Sequence, residues 1–546
     1  MKQKKTSVIL IIAILVFAML AGGCAKSADF SGEKLLDPPA ADAAPPAMDA
    51  PAPVVDEPDW DGAVYRYNGN APYDEIYVPN NERYLDISEN SVKATAQAPM
   101  LTFSLKVDTA SYGNVTRYIE SRQLPPKDAV RTEELINYFS YDAEPAFTPG
   151  EPFGIYTELG PSPFDASKHM AFIRVKARDL DKSQLPSSNL TFLIDVSGSM
   201  SSYDKLPLLK DAFGLLVETL SASDTVSIVT YASGTATVLD SAKGNETAKI
   251  LNTIERLESG GSTAGADGIQ RAYKLAEKNF LPGGNNRIIL ATDGDFNVGT
   301  SSTRELEKLV AEKKDTGIYL SVLGVGTGNI RDDIMETLAK HGNGNYSYIN
   351  SRAEAEKVLV DELASNLFVI AEDVKAQVEF NPENVKSYRL IGYENRALDN
   401  RDFNDDKKDA GEIGVGTDVI VLFEIELADD ITGSGLKYAS GATKPERNGA
   451  YGDEMFEVRL RYKKPGESES RLTTVPVAFD RILDTNSSDF KFACSVAAFG
   501  DMLRGSSYAR GITAADALAL AEGNLGVDEK GYRAGYLELL ALYRKI

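Results

Sequence analysis

Histidine is nearly missing from this chain: His169 and His341 are the only two in 546 residues. Zinc sites of the His-Glu-x-x-His kind and multi-histidine cages need neighbouring imidazoles, so there is almost no room for either. A Ser-His-Asp triad could draw its base from just these two residues, which argues against that chemistry. Cysteine is as scarce, with Cys24 and Cys494 alone, so the fold is no disulfide scaffold. The length suits three or four domains of roughly 150 residues, enough to build cores without staples. Positive charge is in deficit: 58 Lys and Arg face 81 Asp and Glu, a net charge of −23. Such a surface repels phosphate backbones and excludes a nucleic-acid binder. No G-x-x-x-x-G-K-[ST] loop is present, so any ATPase acting with this chain is a separate protein.

What is present begins with a basic start, Lys2, Lys4 and Lys5, and the apolar run Val8–Ala21 of 14 residues. A spanning helix needs about 20, so the run is read as the core of a signal peptide. It ends in Leu20-Ala21-Gly22-Gly23-Cys24, which resembles the lipobox of bacterial lipoproteins, with Leu one place further from the cysteine than is usual there. The resemblance implies cleavage after residue 23, lipidation of Cys24, and a membrane-anchored protein on the extracytoplasmic side of a bacterial envelope. Residues 24–98 read as tether and linker. Seven prolines between Pro38 and Pro58 alternate with Ala and Asp, a composition that cannot offset its own ordering entropy. Extended at about 3.1 Å per residue, the proline-rich part from Cys24 to about Trp60 reaches on the order of 100 Å, and residues 61–98 read as partly ordered linker.

Order is expected from about residue 99. Residues 99–187 read as a small α+β segment, with a strand at Leu101–Val107, helices at Ser111–Arg122 and Arg131–Tyr141, and strands at Gly154–Leu159 and Met170–Ala177. Residues 188–371 alternate strand and helix. Phe192-Leu193-Ile194 is apolar without alternation, as in a parallel strand buried on both faces. Val226–Tyr231 and Ala236–Asp240 are joined by a short hairpin signal. The pattern predicts an α/β, Rossmann-like doubly wound fold, its sheet mostly parallel with one antiparallel edge strand. A last helix is expected over Ala353–Ala371. Residues 372–480 read as an antiparallel β domain, and residues 481–546 as a C-terminal helical segment.

Chemistry concentrates in three places. Asp195-Val196-Ser197-Gly198-Ser199 follows the strand ending at Ile194, and its alternating oxygen side chains can converge in a short loop. Gly260-Gly261-Ser262-Thr263 precedes a helix, and Ala291-Thr292-Asp293-Gly294 ends another strand. All three loops fall at the carboxyl edge of the sheet, where open α/β sheets bind ligands. They offer hard oxygen donors only, which suit Mg²⁺ or Mn²⁺ and not zinc. Two carboxylates and three hydroxyls do not saturate a divalent ion, so an acidic group from outside can complete the set.

This arrangement resembles the metal-ion-dependent adhesion site of von Willebrand factor type A domains. The resemblance covers about 185 residues. It implies that Asp195, Ser197, Ser199, Thr263 and Asp293 hold Mg²⁺, with Mn²⁺ or Ca²⁺ as substitutes, and that the ion bridges to a Glu or Asp of a protein partner. It implies no small-molecule cofactor. A narrower resemblance, to a family of bacterial lipoproteins built around such a domain, rests on Asp108-Thr109-Ala110-Ser111-Tyr112, Gln123-Leu124-Pro125-Pro126, Glu133–Phe139 and Tyr388–Arg396. It spans roughly residues 75–546 and includes a C-terminal region of unknown function. The expected role is a non-enzymatic, lipid-anchored binding or adhesion protein. The alternatives are an assembly factor for an envelope complex served by a separate ATPase, or a metal-dependent hydrolase using Asp204 or Asp295 as base.

Other signals have plainer readings. Asp402–Glu412 has calcium-loop character, but Lys407 and Ile413 stand where such a loop starting at Asp402 needs Gly and Glu, so it reads as a solvated turn. Asp108 and Ser111 have the wrong spacing for a second adhesion-type site. His341 suits the end of a helix. Cys494 lies in an apolar helical pattern and reads as a buried small hydrophobe.

Overall fold

The first strands and helices build one flank of the molecule. Lys93–Ala94 (β1) and Met100–Ser104 (β2) lead into helices Ala110–Glu120 (α1) and Thr132–Ile136 (α2). Phe153–Pro161 (β3) and His169–Ala177 (β4) then pair as an antiparallel hairpin. The structure, a computed structural model, describes residues 81–106, 108–262, 265–294, 303–428, 451–483 and 485–546. All of these belong to one unit, Asp74–Ile546. The signal segment, Cys24 and the proline-rich tether lie outside the described residues. Among the described residues no helix is long and apolar enough to cross a membrane.

From Ser188 the chain alternates. In order come Ser188–Asp195 (β5), Leu206–Glu218 (α3), Thr225–Tyr231 (β6), Thr235–Lys243 (β7), Thr247–Glu255 (α4) and Gly265–Lys278 (α5). Asn285–Thr292 (β8), Thr303–Lys314 (α6), Ile318–Val325 (β9), Asp332–His341 (α7) and Tyr346–Ile349 (β10) follow. The strand order is β10-β9-β8-β5-β6-β7. Pairing is parallel except between β6 and β7. This is the doubly wound sheet with one antiparallel edge that the sequence predicts. β5 runs through its centre, buried at every residue. Phe192 and Ile194 pack against α3 and α4, and Leu193 points into the opposite core with α5 and α7. Each such side chain contributes about 1.5–3 kcal/mol when fully buried.

Two short helices, Arg352–Glu356 (α8) and Leu363–Leu367 (α9), close this part around a π-helical turn at Lys357–Asp361. The helix expected over Ala353–Ala371 therefore ends early. Its last residues enter Val369–Phe380 (β11), because Gly411–Gly414 pairs with them, Val369 opposite Gly414 and Ala371 opposite Ile413. Val385–Ile391 (β12), Ala397–Leu398 (β13), Gly411–Gly414 (β14) and Asp418–Leu427 (β15) come next. Glu454–Lys463 (β16) and Arg471–Ala478 (β17) complete the strands. Ser488–Leu503 (α10), Ala514–Glu522 (α11) and Tyr532–Tyr543 (α12) form the C-terminal helices. The second expected helix, Arg131–Tyr141, shrinks to α2, because Asn137 turns its amide back onto the Glu133 carbonyl and across to Tyr393.

The segments before and after the α/β part are not laid out one after the other. One sheet has the order β1-β12-β15-β4-β3, and the other β13-β2-β11-β16-β17, with β14 also on β11. Each therefore mixes strands from residues 93–177 with strands from beyond residue 369. The two sheets share one apolar core containing Phe103, Val175, Phe380, Tyr388, Phe423 and Leu460. α1, α2 and the C-terminal helices cover the far face of the first sheet, on Met170, Phe172 and Leu422. Strand β4, apolar on both sides, is thereby buried on both. The α/β part is an insertion between β4 and β11.

Candidate metal centre

Three loops meet at the carboxyl ends of β5 and β8. The turn after β5 is tied down by backbone bonds on both sides. Val196 N donates to Tyr231 O of β6 (3.0 Å), Gly198 N to Gly261 O (2.9 Å), and Gly260 N to Val196 O (2.8 Å). Gly261 adopts φ +83°, a left-handed conformation that favours glycine, and so presents its carbonyl to the turn. The Gly-Gly loop is thus laid directly beside the first motif. Thr263, the next residue but one, lies outside the described residues, as does Asp295.

The other four sequence-predicted residues come together. Asp195 is fully buried, its Oδ1 accepting from Ser197 N at 2.8 Å and its Oδ2 from Thr292 Oγ1 at 3.2 Å. Ser197 Oγ and Ser199 Oγ lie 3.1 Å apart. Asp293 is buried, bonded by Ser199 and Asn329, and its Oδ2 accepts from Lys205 Nζ at 2.9 Å. Thr292 also takes Gly294 N at 3.1 Å, holding the third loop in place.

The two carboxylates are shifted in opposite directions. Burial, and then the neighbouring Asp293 charge, push Asp195 up to about 6. Burial acts on Asp293 in the same sense, but the Lys205 ammonium and hydrogen bonds outweigh it and hold that carboxyl below its usual range. A buried acid raised beside a second acid is one that a cation between them would ionise. Among the described residues no three His, Cys, Asp or Glu side chains cluster as metal ligands. The donors here are two carboxylates and serine hydroxyls, so the set fits a hard, oxygen-seeking divalent ion.

Sequence reasoning gave no role to Lys205, Thr292 or Asn329. Thr292 stands within the third motif, so its proximity was visible, but its bond to Asp195 depends on β8 lying beside β5. Asp204 accepts from the Ser202 hydroxyl and, at 3.5 Å, from Thr327 Oγ1.

The remaining signals are structural. Asp108 pairs with Arg396 (2.7 Å) and Lys106 (3.5 Å), and Ser111 Oγ donates to Ala129 O (2.7 Å). In the acidic loop, Asp402 pairs with Lys408, Asp406 with Arg461, and Asp409 with Lys314. His341 is the last residue of α7. Cys494 is buried in α10, where burial pushes its thiol far up, which makes it unreactive.

Comparison with known proteins adds to this geometry. The von Willebrand factor type A domain profile matches residues 189–362. A profile described as von Willebrand factor matches residues 78–171. The profile described as the C-terminal part of the uncharacterized protein YfbK matches residues 365–546. The chain is 42% identical over 478 residues to the uncharacterized protein YfbK of Escherichia coli strain K12, covering 86% of this chain and 82% of that one. It is 30% identical over 164 residues to human inter-alpha-trypsin inhibitor heavy chain H2, covering 29% of this chain and 17% of that one. A solved structure titled von Willebrand factor type A from Catenulispora acidiphila aligns at 15% identity over 73% of this chain and 91% of that one, with a TM-score of 0.42.

Proposed function

Because the chain belongs to the YfbK family of von Willebrand factor type A proteins, whose central domain points to protein–protein interaction or adhesion, we propose that it is a lipid-anchored binding protein. In this reading its α/β part holds a divalent cation and captures an acidic side chain of a protein partner through it. The observation that carries the reading is the convergence of Asp195, Ser197, Ser199 and Asp293 at the carboxyl edge of the central sheet, with Asp195 raised by burial and by its acidic neighbour. Asp195 and Asp293 would supply charge to the ion, and the serine hydroxyls neutral oxygens. The ion, when bound, supplies Lewis acidity toward a carboxylate. The fold supplies a rigid frame, since two of the three loops leave buried parallel strands. Family members of this kind are generally non-enzymatic.

Titration calorimetry of Mg²⁺ and Mn²⁺ on wild type and Asp195→Ala tests the metal site. One saturable site in wild type, lost in the variant and in EDTA, is expected. Heat of binding that survives in Asp195→Ala would place any metal elsewhere.

The anchor is carried by Cys24 and the apolar run before it. Several acyl chains hold a protein on a membrane where one does not, at about 0.8 kcal/mol per buried CH₂. Cys24→Ser is expected to remove the lipid mass from the mature protein and shift it from the membrane fraction to the soluble fraction. Unchanged fractionation and mass would overturn lipidation at this residue.

A further inference from the structure

Lys205 is the residue just before α3, and its side chain turns inward to the metal-site carboxylates. Its Nζ donates to Asp293 Oδ2 at 2.9 Å and to Asn329 Oδ1 at 3.2 Å. The side chain is only 9% exposed. Its aliphatic stem lies along Gly326, which adopts φ +76° and where any side chain would overlap the stem. The loop carrying Gly326 and Asn329 is itself fastened. Gly326 O accepts from Tyr348 Oη (2.6 Å), Gly328 N donates to Glu82 Oε1 (2.8 Å), and Arg83 N donates to Ile330 O (2.8 Å). The ammonium therefore cannot swing away without displacing this loop.

The charge balance has a consequence. Asp195 and Asp293 bring two negative charges to the site, and Lys205 offsets one of them. A divalent cation added to these donors leaves one positive charge in excess, in a setting where burial strengthens every charge interaction. An external carboxylate would cancel that excess.

Resting on the metal reading above, we propose that Lys205 is a built-in counter-charge: it keeps the site's affinity for a divalent cation low until an acidic ligand arrives, and so couples the two binding events. Coupling of this kind is reciprocal, so the factor by which a carboxylate tightens the metal is the factor by which the metal tightens the carboxylate. The lysine is a positioning residue here. It touches Asp293 and acts on the ion through it.

The test is Mn²⁺ titration calorimetry on the full chain as wild type, Lys205→Met, Lys205→Arg and Asp195→Ala, each with and without acetate as carboxylate probe. Lys205→Met is expected to bind Mn²⁺ about tenfold tighter or more. Lys205→Arg should bind as wild type does, and the tightening by acetate should shrink in Lys205→Met. A lysine with only a structural role would leave Mn²⁺ affinity unchanged or lower it in Lys205→Met, and that result overturns the proposal while leaving the metal site standing. Absence of binding in both wild type and Lys205→Met overturns the metal reading itself. If Lys205→Met folds only when Mn²⁺ is supplied, the ion is replacing the lost charge, which supports the proposal. Failure to fold with or without Mn²⁺ counts against it.

Discussion

Glu412, on β14, is 7% exposed, and burial pushes its carboxyl up to about 8 from an ordinary 4.5. Lys106 and Lys314 pull it down, and Asp409 and Asp373 push it further up. Glu354, bonded by the Tyr138 hydroxyl at 2.7 Å, is raised by burial to about 7 despite Lys357. In the folded protein both groups keep a proton that the unfolded chain releases near 4.5. Between that pH and their folded values the native state binds more protons than the unfolded one, so stability falls as pH rises. The stabilisation is complete below about pH 4.5 and gone above pH 8, with a slope of up to about 1.4 kcal/mol per pH unit per group. Melting temperature is therefore expected to decline from pH 5 to pH 8. Glu412→Gln, which cannot ionise, should flatten the decline and melt above wild type at pH 8. A wild-type melting temperature that climbs steadily across that range would contradict this assignment.

Individual elements differ in how far the sequence announces them. The strands of the central sheet are apolar runs closed by short local turns, and each lies within a few residues of where its pattern places it. The metal-site loops share that legibility, because each is a few residues that directly follow a strand or precede a helix. What sequence pattern cannot carry is a partner far along the chain. Val369-Ile370-Ala371 suits a helix by periodicity, yet it starts β11, since β14, far along the chain, pairs with it. Asp108, Glu133, Asn137, Gly392, Tyr393 and Arg396 stand out only as family-like stretches. In the fold they form one buried junction, with Asn137 Nδ2 on Tyr393 Oη at 3.0 Å and Gly392 pressed so close to Glu133 that a Cβ would come within 2.6 Å of its backbone nitrogen. Arg131 extends the junction to α7 through Asp332 (2.7 Å) and Glu336 (3.5 Å). That ionic contact seats the inserted α/β part on its flank. Charges there are compensated in space by residues some two hundred positions away, so no window of sequence reveals them. Lys205 escaped notice for the same reason: its acceptor Asn329 lies 124 residues on.

Across the whole molecule, the α/β part is held by a frame made from both sides of its own sequence. β4 pairs with β15 from His169 to Lys176, and β2 pairs with β11 from Met100 to Ser104. The first described residues, Asn81 to Arg83, meanwhile pair with the loop Gly328–Arg331 beside the metal-site residues. These residues thus lie beside the loop that carries Asn329. The frame's continuity has a direct test. Ser183 and Gln184 lie exposed in the connection between β4 and β5, and a protease site engineered there would cut the chain without breaking any strand. The two pieces bury the core shared by Phe103, Val175, Phe380 and Phe423, at about 1.5–3 kcal/mol for each large side chain. They are therefore expected to co-elute as one particle in gel filtration after cleavage and to part only in denaturant. Were residues 99–187 an independent segment, the N-terminal piece would elute alone, and the interleaved frame would be wrong.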